Sequence, residues 1–253
     1  MIECEYFKKK IINNFFFEIS EKMGERDRLN DQKLSDEDTD LLYDIVDITT
    51  KILTKNNIKY SIEGGTLLGV VRCGGLLPHD NDADIDILKS DGEKVLKLRD
   101  EFDKYDLELI LTPGWGMQVS WKYSPELKPN LWTDGINEWS SKWPFLDLIY
   151  IDQKENGDYH CSEDVAQHDY PQYLVTKDQW NSEFETVTFG HLKVQSIQYR
   201  EKYLDYNYPE WRSKIIMIMD HRKNIYFETP IVIPIQPIDL IYRSRSKTLS
   251  KLL

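Results

Sequence analysis

Glu63-Gly64-Gly65-Thr66-Leu67-Leu68-Gly69-Val70-Val71-Arg72, followed after a short turn by Pro78-His79-Asp80-Asn81-Asp82-Ala83-Asp84-Ile85-Asp86-Ile87-Leu88, decides how the chain is read. Glycines let backbone N–H groups approach an anion closely, and an arginine adds a planar cationic fork. From Asp82 to Ile87 acid and apolar residues alternate, so on a strand the carboxylates share one face and the isoleucines the other. A row of carboxylates repels itself unless a cation sits among them. Oxygen ligands suit a hard cation, and Mg²⁺ commonly needs one or two protein carboxylates together with substrate phosphates. The local reading is a divalent metal beside a phosphorylated ligand.

The flanks support a folded setting for this stretch. Ser35-Asp36-Glu37-Asp38 reads as a capping box, and Leu41, Leu42, Ile45, Ile48, Ile52 and Leu53 recur at helical spacing to about Lys55. Ile58–Ile62 is a strand candidate leading into the glycines, and Thr66–Arg72 a short helix whose N-terminus points free N–H groups at a phosphate. Downstream, Ser90-Asp91-Gly92-Glu93 reads as a second capping box before the apolar stripe Val95, Leu98, Phe102, Tyr105. Leu107–Leu111 and Met117–Tyr123 are expected as strands, Val187–Val194 as a hairpin around Gly190, and Tyr199–Leu204 as a helix. Ser213–Arg222 is expected as a further short helix, Met23–Lys33 as a charged loop, and Pro125–Lys142 as irregular. Residues 152–185 show no period. The tail from Thr229, with Pro230, Pro234 and Pro237, reads as extended. No internal repeat or long linker appears, so one α+β (mixed α/β) domain is expected. Its core covers about 36–215, with an N-terminal extension over 1–34 and a tail over 229–253.

The formal net charge of -12, from 32 basic and 44 acidic residues, argues against nonspecific binding to nucleic acid or anionic lipid. Cys4, Cys73 and Cys161 form no Cys-x-x-Cys pair and suit a reducing compartment. There is no Asn-x-Ser/Thr sequon. The apolar run Ile11, Ile12, Phe15–Phe17 is broken by Asn13 and Asn14, well short of the ~20 apolar residues of a membrane span. A cytoplasmic protein without a membrane span is expected.

Phe145-Leu146-Asp147-Leu148-Ile149-Tyr150-Ile151 places an acid inside a buried-strand pattern, which is costly unless the acid is paired or liganded. Two carboxylates two apart on one strand, with a third from a neighbour, make a one-metal or two-metal site. In this reading Asp82 and Asp84 hold the ion, and Asp147 completes the shell or orients the attacking hydroxyl. Gly64, Gly65 and Thr66 position the donor phosphate, with Glu63 and His79 beside them, and Arg72 pairs with the phosphate or supports the loop. Mg²⁺ is the expected ion, Mn²⁺ the alternative.

The glycine stretch and the Pro78–Ile85 stretch, with Gly65 lying 17 positions before Asp82, resemble the signature of the LicD and fukutin-related family. Phe145-Leu146-Asp147 is similar to that family's later Asp-bearing strand, and Tyr203-Leu204 through Trp211 to a degenerate form of its C-terminal element. The resemblance covers roughly 36–215. It implies a nucleotidyltransferase-like fold, a small mixed sheet flanked by helices. It also implies transfer of a phosphate-linked group, typically phosphocholine or ribitol phosphate, from a CDP-linked donor to a glycan hydroxyl. His79 stands where the family usually has Trp, Asp86 where a small residue is usual, and Asn207 at a usual Gly.

Other readings fit less well. Asp80, Asp82 and Asp84 occupy positions one, three and five of an EF-hand, but Ile85 then stands where Gly is needed and Asp91 where Glu is expected. His160, Cys161 and His168 have no standard zinc spacing. Asp-x-Asp also serves glycosyltransferases, and a nucleotidyltransferase remains a rival, as does a binding module that kept the fold. Trp115, Trp132, Trp139 and Trp143 are candidates for an aromatic ligand wall, with packing as their other role.

Overall fold

Ser35 opens the scaffold. Its side chain accepts the Asp38 N–H and caps the helix Asp36–Lys55, which buries Leu42, Ile45, Val46, Ile52 and Leu53 on one stripe. In the computed structural model, which describes residues 24–127, 142–220, 222–223 and 225–246, a shorter helix precedes this one. We label Glu25–Asp31 α1 and Asp36–Lys55 α2. Then come β1 (Tyr60–Ile62), α3 (Gly64–Cys73), β2 (Ala83–Leu88), α4 (Gly92–Leu96), α5 (Arg99–Asp103), β3 (Leu107–Thr112) and β4 (Gly116–Trp121). The second half has β5 (Phe145–Gln153), β6 (Tyr159–Cys161), α6 (Asp164–Asp169), α7 (Lys177–Asn181), β7 (Glu185–Phe189), β8 (Leu192–Ser196), α8 (Arg200–Asn207), β9 (Lys214–Asp220) and β10 (Ile225–Pro234).

The main sheet runs β1-β2-β5-β4-β3, with β6 paired to the end of β5. Only β2 and β5 are parallel among these pairs, and their register sets Asp84 directly opposite Asp147. Ile85, Ile87, Leu146, Leu148 and Ile151 are fully buried behind that pair. Burial of each such side chain stabilises the fold by about 1.5–3 kcal/mol, so the two strands that carry the acids are also those the core holds most firmly. The mixed α+β architecture agrees with the sequence reading.

Four expectations need correction. Met23–Lys33 contains α1, not a loop; Leu29 packs with Ile215, Ile231 and Ile233, and Arg26 Nη1 reaches Asp239 Oδ1 at 2.7 Å. One apolar residue leaves little periodicity to read, and the helix rests on these tertiary contacts. Ser213–Arg222 contains the strand β9, not a helix, because its apolar run pairs antiparallel with β10. The helix expected from Ser90 is divided into a short 3-10 turn, α4 and α5, and Asp91 makes no side-chain cap bond. Residues 152–185 hold β6, α6 and α7, the last closed by a capping box between Thr176 and Gln179. The Ile11–Phe17 run, Trp132, Trp139 and most of Pro125–Lys142 lie outside the described residues.

The glycine-rich helix α3 is fixed at both ends. Gly74, at φ 83°, closes it in the left-handed conformation. A Cβ on Gly69 would lie 2.3 Å from the Gly75 carbonyl oxygen. Backbone must move to admit it, so Gly69→Ala is expected to lower stability by about 1–3 kcal/mol in urea unfolding, with unchanged secondary structure by circular dichroism.

Candidate active site

Asp82, Asp84 and Asp147 each present a carboxylate oxygen within 4.8 Å of the others. Asp82 sits just before β2, Asp84 near the start of that strand, and Asp147 across the parallel register on β5. On the other side of β5, Gln118 of β4 stands opposite Asp147 and its Nε2 donates to Asp147 Oδ1 at 2.9 Å. Burial raises Asp147 to about 7. Burial first, then the neighbouring carboxylates, push Asp82 and Asp84 well above the usual carboxylate range. Three convergent oxygen ligands of like charge, which repel one another, fit a hard divalent cation. Asp86, the next acid along β2, does not join the cluster; it is buried and accepts the Tyr173 hydroxyl.

The glycines have a concrete role. A Cβ on Gly65 would lie 2.6 Å from Asp80 Oδ2, and one on Gly64 would lie 2.9 Å from Asp84 Oδ2. The absent side chains let these carboxylates rest against the N-terminus of α3, where the helix dipole favours negative charge. Thr66 Oγ1 accepts the Asp84 N–H at 2.9 Å and so ties the helix start to β2. Glu63, buried, accepts the Tyr203 hydroxyl at 2.9 Å and the Gly64 N–H, and burial raises it to about 7.

Arg72 Nη2 donates to the carbonyls of Trp211 and, at 3.2 Å, Lys214. The guanidinium therefore braces the segment after α8 while bordering the cleft. His79 is buried with no hydrogen bond to Nδ1, and burial followed by the Arg72 charge pushes it down to about 4, so it stands as neutral imidazole. Trp143 is buried and its Nε1 donates to Asn81 O at 2.9 Å, which anchors the loop carrying Asp80 and Asp82.

The acids open into a cleft of about 420 Å³, a size suited to a small ligand. Of the residues singled out in the sequence, Glu63, Gly65, Arg72, His79, Asp82, Asp84, Asp147 and Trp115 border it, whereas Gly64 and Thr66 do not. Tyr170, Tyr173, Tyr203 and Tyr208 also line it; Tyr203 and Tyr208 lie in the C-terminal element read from the sequence, whereas Tyr170 and Tyr173 fall in the stretch without a period. Gln118 was findable in retrospect, since it is a polar residue within the strand run Met117–Tyr123.

The sequence profile of a family described as "LicD/FKTN/FKRP, nucleotidyltransferase domain" matches residues 57–196. The uncharacterized protein RP689 of Rickettsia prowazekii (strain Madrid E) is 29% identical over 186 residues, covering 74% of this chain and 60% of that protein. Thus the chain spans about 60% of the length of that relative. The uncharacterized protein RT0683 of Rickettsia typhi (strain ATCC VR-144 / Wilmington) is 56% identical over 50 residues, 20% of this chain and 16% of that one. Among solved structures, the lincomycin-bound lincosamide antibiotic adenylyltransferase LnuA aligns with a TM-score of 0.40 at 15% identity, over 76% of this chain and 95% of LnuA. No helix among the described residues is long and apolar enough to cross a membrane.

Proposed function

The chain belongs to the LicD/FKTN/FKRP nucleotidyltransferase-domain family, and from that premise we propose that it is a divalent-metal-dependent phosphotransferase. It moves a phosphate-linked group, such as phosphocholine or ribitol phosphate, from a CDP-linked donor to a glycan hydroxyl and releases CMP. The observation that carries this reading is the convergence of Asp82, Asp84 and Asp147 within 4.8 Å beside the start of α3. Group transfer is the coarse activity the family supplies; the donor, the acceptor, Mg²⁺ (or Mn²⁺) and a cytoplasmic setting are the finer parts of the proposal.

A bound Mg²⁺ would offset the negative charge of phosphate oxygens during an in-line displacement. Asp82 and Asp84 hold the ion in this reading. Asp147, oriented by Gln118, completes the shell or orients the acceptor hydroxyl. Gly64 and Gly65 let the acids meet the helix N-terminus, and Thr66 fixes that turn to β2. Glu63, Arg72 and His79 form the donor side of the cleft.

Incubation with CDP-choline, CDP-ribitol or CDP-glycerol, Mg²⁺ and a glycan acceptor is expected to release CMP, and EDTA to stop it. Release of pyrophosphate from a nucleoside triphosphate would mark nucleotidyl transfer, and release of a nucleoside diphosphate from a nucleotide-sugar would mark glycosyl transfer. Either product in place of CMP overturns the donor assignment.

A further inference from the structure

The buried and half-buried tyrosines around the cleft divide into two kinds. Tyr203 donates to Glu63, Tyr173 to Asp86, and Tyr226 to Asp169. Tyr170 and Tyr208 border the same cleft, yet among the described residues neither hydroxyl has a hydrogen-bond partner. Both rings are held in place from behind. The Tyr170 N–H bonds to Ala166 O at 2.9 Å and the Tyr208 N–H to Leu204 O at 2.8 Å, so each residue is set by the last turn of a helix, α6 and α8. The Tyr170 ring stands edge-on to Trp115, 5.8 Å between centroids, and the Tyr208 ring is tilted against Tyr203 at 6.5 Å.

The placement of the Tyr208 hydroxyl can be bounded. The point a Gly64 Cβ would occupy lies 2.9 Å from Asp84 Oδ2 and 3.4 Å from Tyr208 Oη, so the two oxygens are at most about 6 Å apart, the distances taken end to end. A ligand oxygen next to a cation on Asp84 therefore falls close to the phenol, which can donate to it; hydrogen bonds of this type span about 2.7 Å. The two unpaired phenols find an acceptor once something acceptor-rich fills the cleft. A phosphate or diphosphate is such a group, and a neutral phenol donates to it without adding charge.

We propose that Tyr170 and Tyr208 are substrate-binding residues whose hydroxyls hold non-bridging oxygens of the phosphate seated at the acidic triad. The inference deepens the reading of the site as a metal-dependent phosphotransferase and rests on it. It assigns to the segments after α6 and α8 the donor groups that Thr66, which does not border the cleft, does not supply.

The test uses Tyr170→Phe, Tyr208→Phe and the double variant of the full chain. Binding of Mn²⁺ alone, of inorganic pyrophosphate with Mn²⁺, and of CDP with Mn²⁺ is measured by calorimetry. Each phenylalanine is expected to weaken both phosphate probes roughly tenfold, and the pair roughly a hundredfold, since a hydrogen bond to a charged group carries that much. Affinity for Mn²⁺ alone should stay within about twofold. If the variants bind both probes like the parent, the tyrosine assignment is overturned while the phosphotransferase reading stands. If a variant loses Mn²⁺ itself, its effect runs through the acids and the assignment is overturned. Pyrophosphate binding that depends on the phenols, without tighter binding of CDP, upholds the tyrosines and removes the cytidine donor. A parent that binds neither probe with Mn²⁺ overturns both.

Discussion

Asp84→Asn is expected to abolish turnover, by a thousandfold or more, while raising the melting temperature of the metal-free protein. The two effects share one cause. Asp84 lies opposite Asp147 in the parallel register, its carboxylate is within 4.8 Å of those of Asp82 and Asp147, and burial first, then the neighbouring carboxylates, push it up. Asparagine keeps the shape and removes one charge from the cluster. Relief of a buried like-charge contact is worth on the order of 1–3 kcal/mol, and a chain of this size gains about 2–4 °C per kcal/mol. The same charge is what holds a divalent ion. Mg²⁺ at a hundred times its dissociation constant stabilises the parent by about 2.7 kcal/mol, and that shift should be absent in the variant. Asp86→Asn is the control: it changes a more deeply buried acid on the same strand that bonds to Tyr173 instead of joining the cluster. It should leave the Mg²⁺ shift in place. Differential scanning fluorimetry with and without Mg²⁺, alongside an assay of CMP release, reads every arm. An Asp84→Asn protein that still gains the full Mg²⁺ shift would remove the triad as the metal site.

The parts of this site legible in the sequence are those set by short-range pattern. Alternation from Asp82 to Ile87 is a strand with an acid face because the period is two, and Ile85 and Ile87 are fully buried opposite those acids. An acid flanked by Phe145, Leu146, Leu148 and Ile149 pointed to Asp147 by its cost alone. The strand-to-helix turn at Gly64-Gly65 was equally plain. Its reason was not: the glycines were read as making room for phosphate, whereas the space a Cβ would fill is already taken by the carboxylates of Asp80 and Asp84.

What escaped the sequence depends on long-range contact. Tyr170 and Tyr173 reach the cleft from a segment far from Asp84 in the chain, and no periodicity marks their faces. Arg72 offers the same lesson, since its partners Trp211 and Lys214 are carbonyls that a side-chain pattern never reveals. The β9 error is of the same kind. Ile215, Ile216, Met217, Ile218 and Met219 form an apolar run too short to show a period, and the strand is decided by its partner β10.

The metal-free protein should lose stability as pH rises from about 4.5 to 7. Asp147 stands at about 7 in the folded chain against an ordinary value of 3.8, and Glu63 at about 7 against 4.5, both mainly through burial. Asp80 is raised to about 6, and Asp82 and Asp84 further in the same direction. A raised carboxyl binds its proton more tightly in the folded than in the unfolded chain. Its contribution to stability is complete below the unfolded value and is lost as pH climbs through the folded one. At about 1.36 kcal/mol per pH unit, Asp147 alone represents on the order of 4 kcal/mol. His79 acts oppositely. Pushed down to about 4, it favours the folded state as pH rises toward 6.5, which masks part of the carboxyl effect there. One histidine offsets only one of the several raised carboxyls, so the net decline persists through this range. Arg72 moderates Asp80 without neutralising the cluster, and Gln118 moderates Asp147. Saturating Mg²⁺ should flatten the decline, because the ion binds the ionised acids. Urea unfolding in EDTA and in millimolar Mg²⁺, repeated across this window, measures both slopes. Rising stability in EDTA between about pH 4.5 and 7 would mean that the acids ionise without penalty in the folded chain, and the cation would lose its physical rationale.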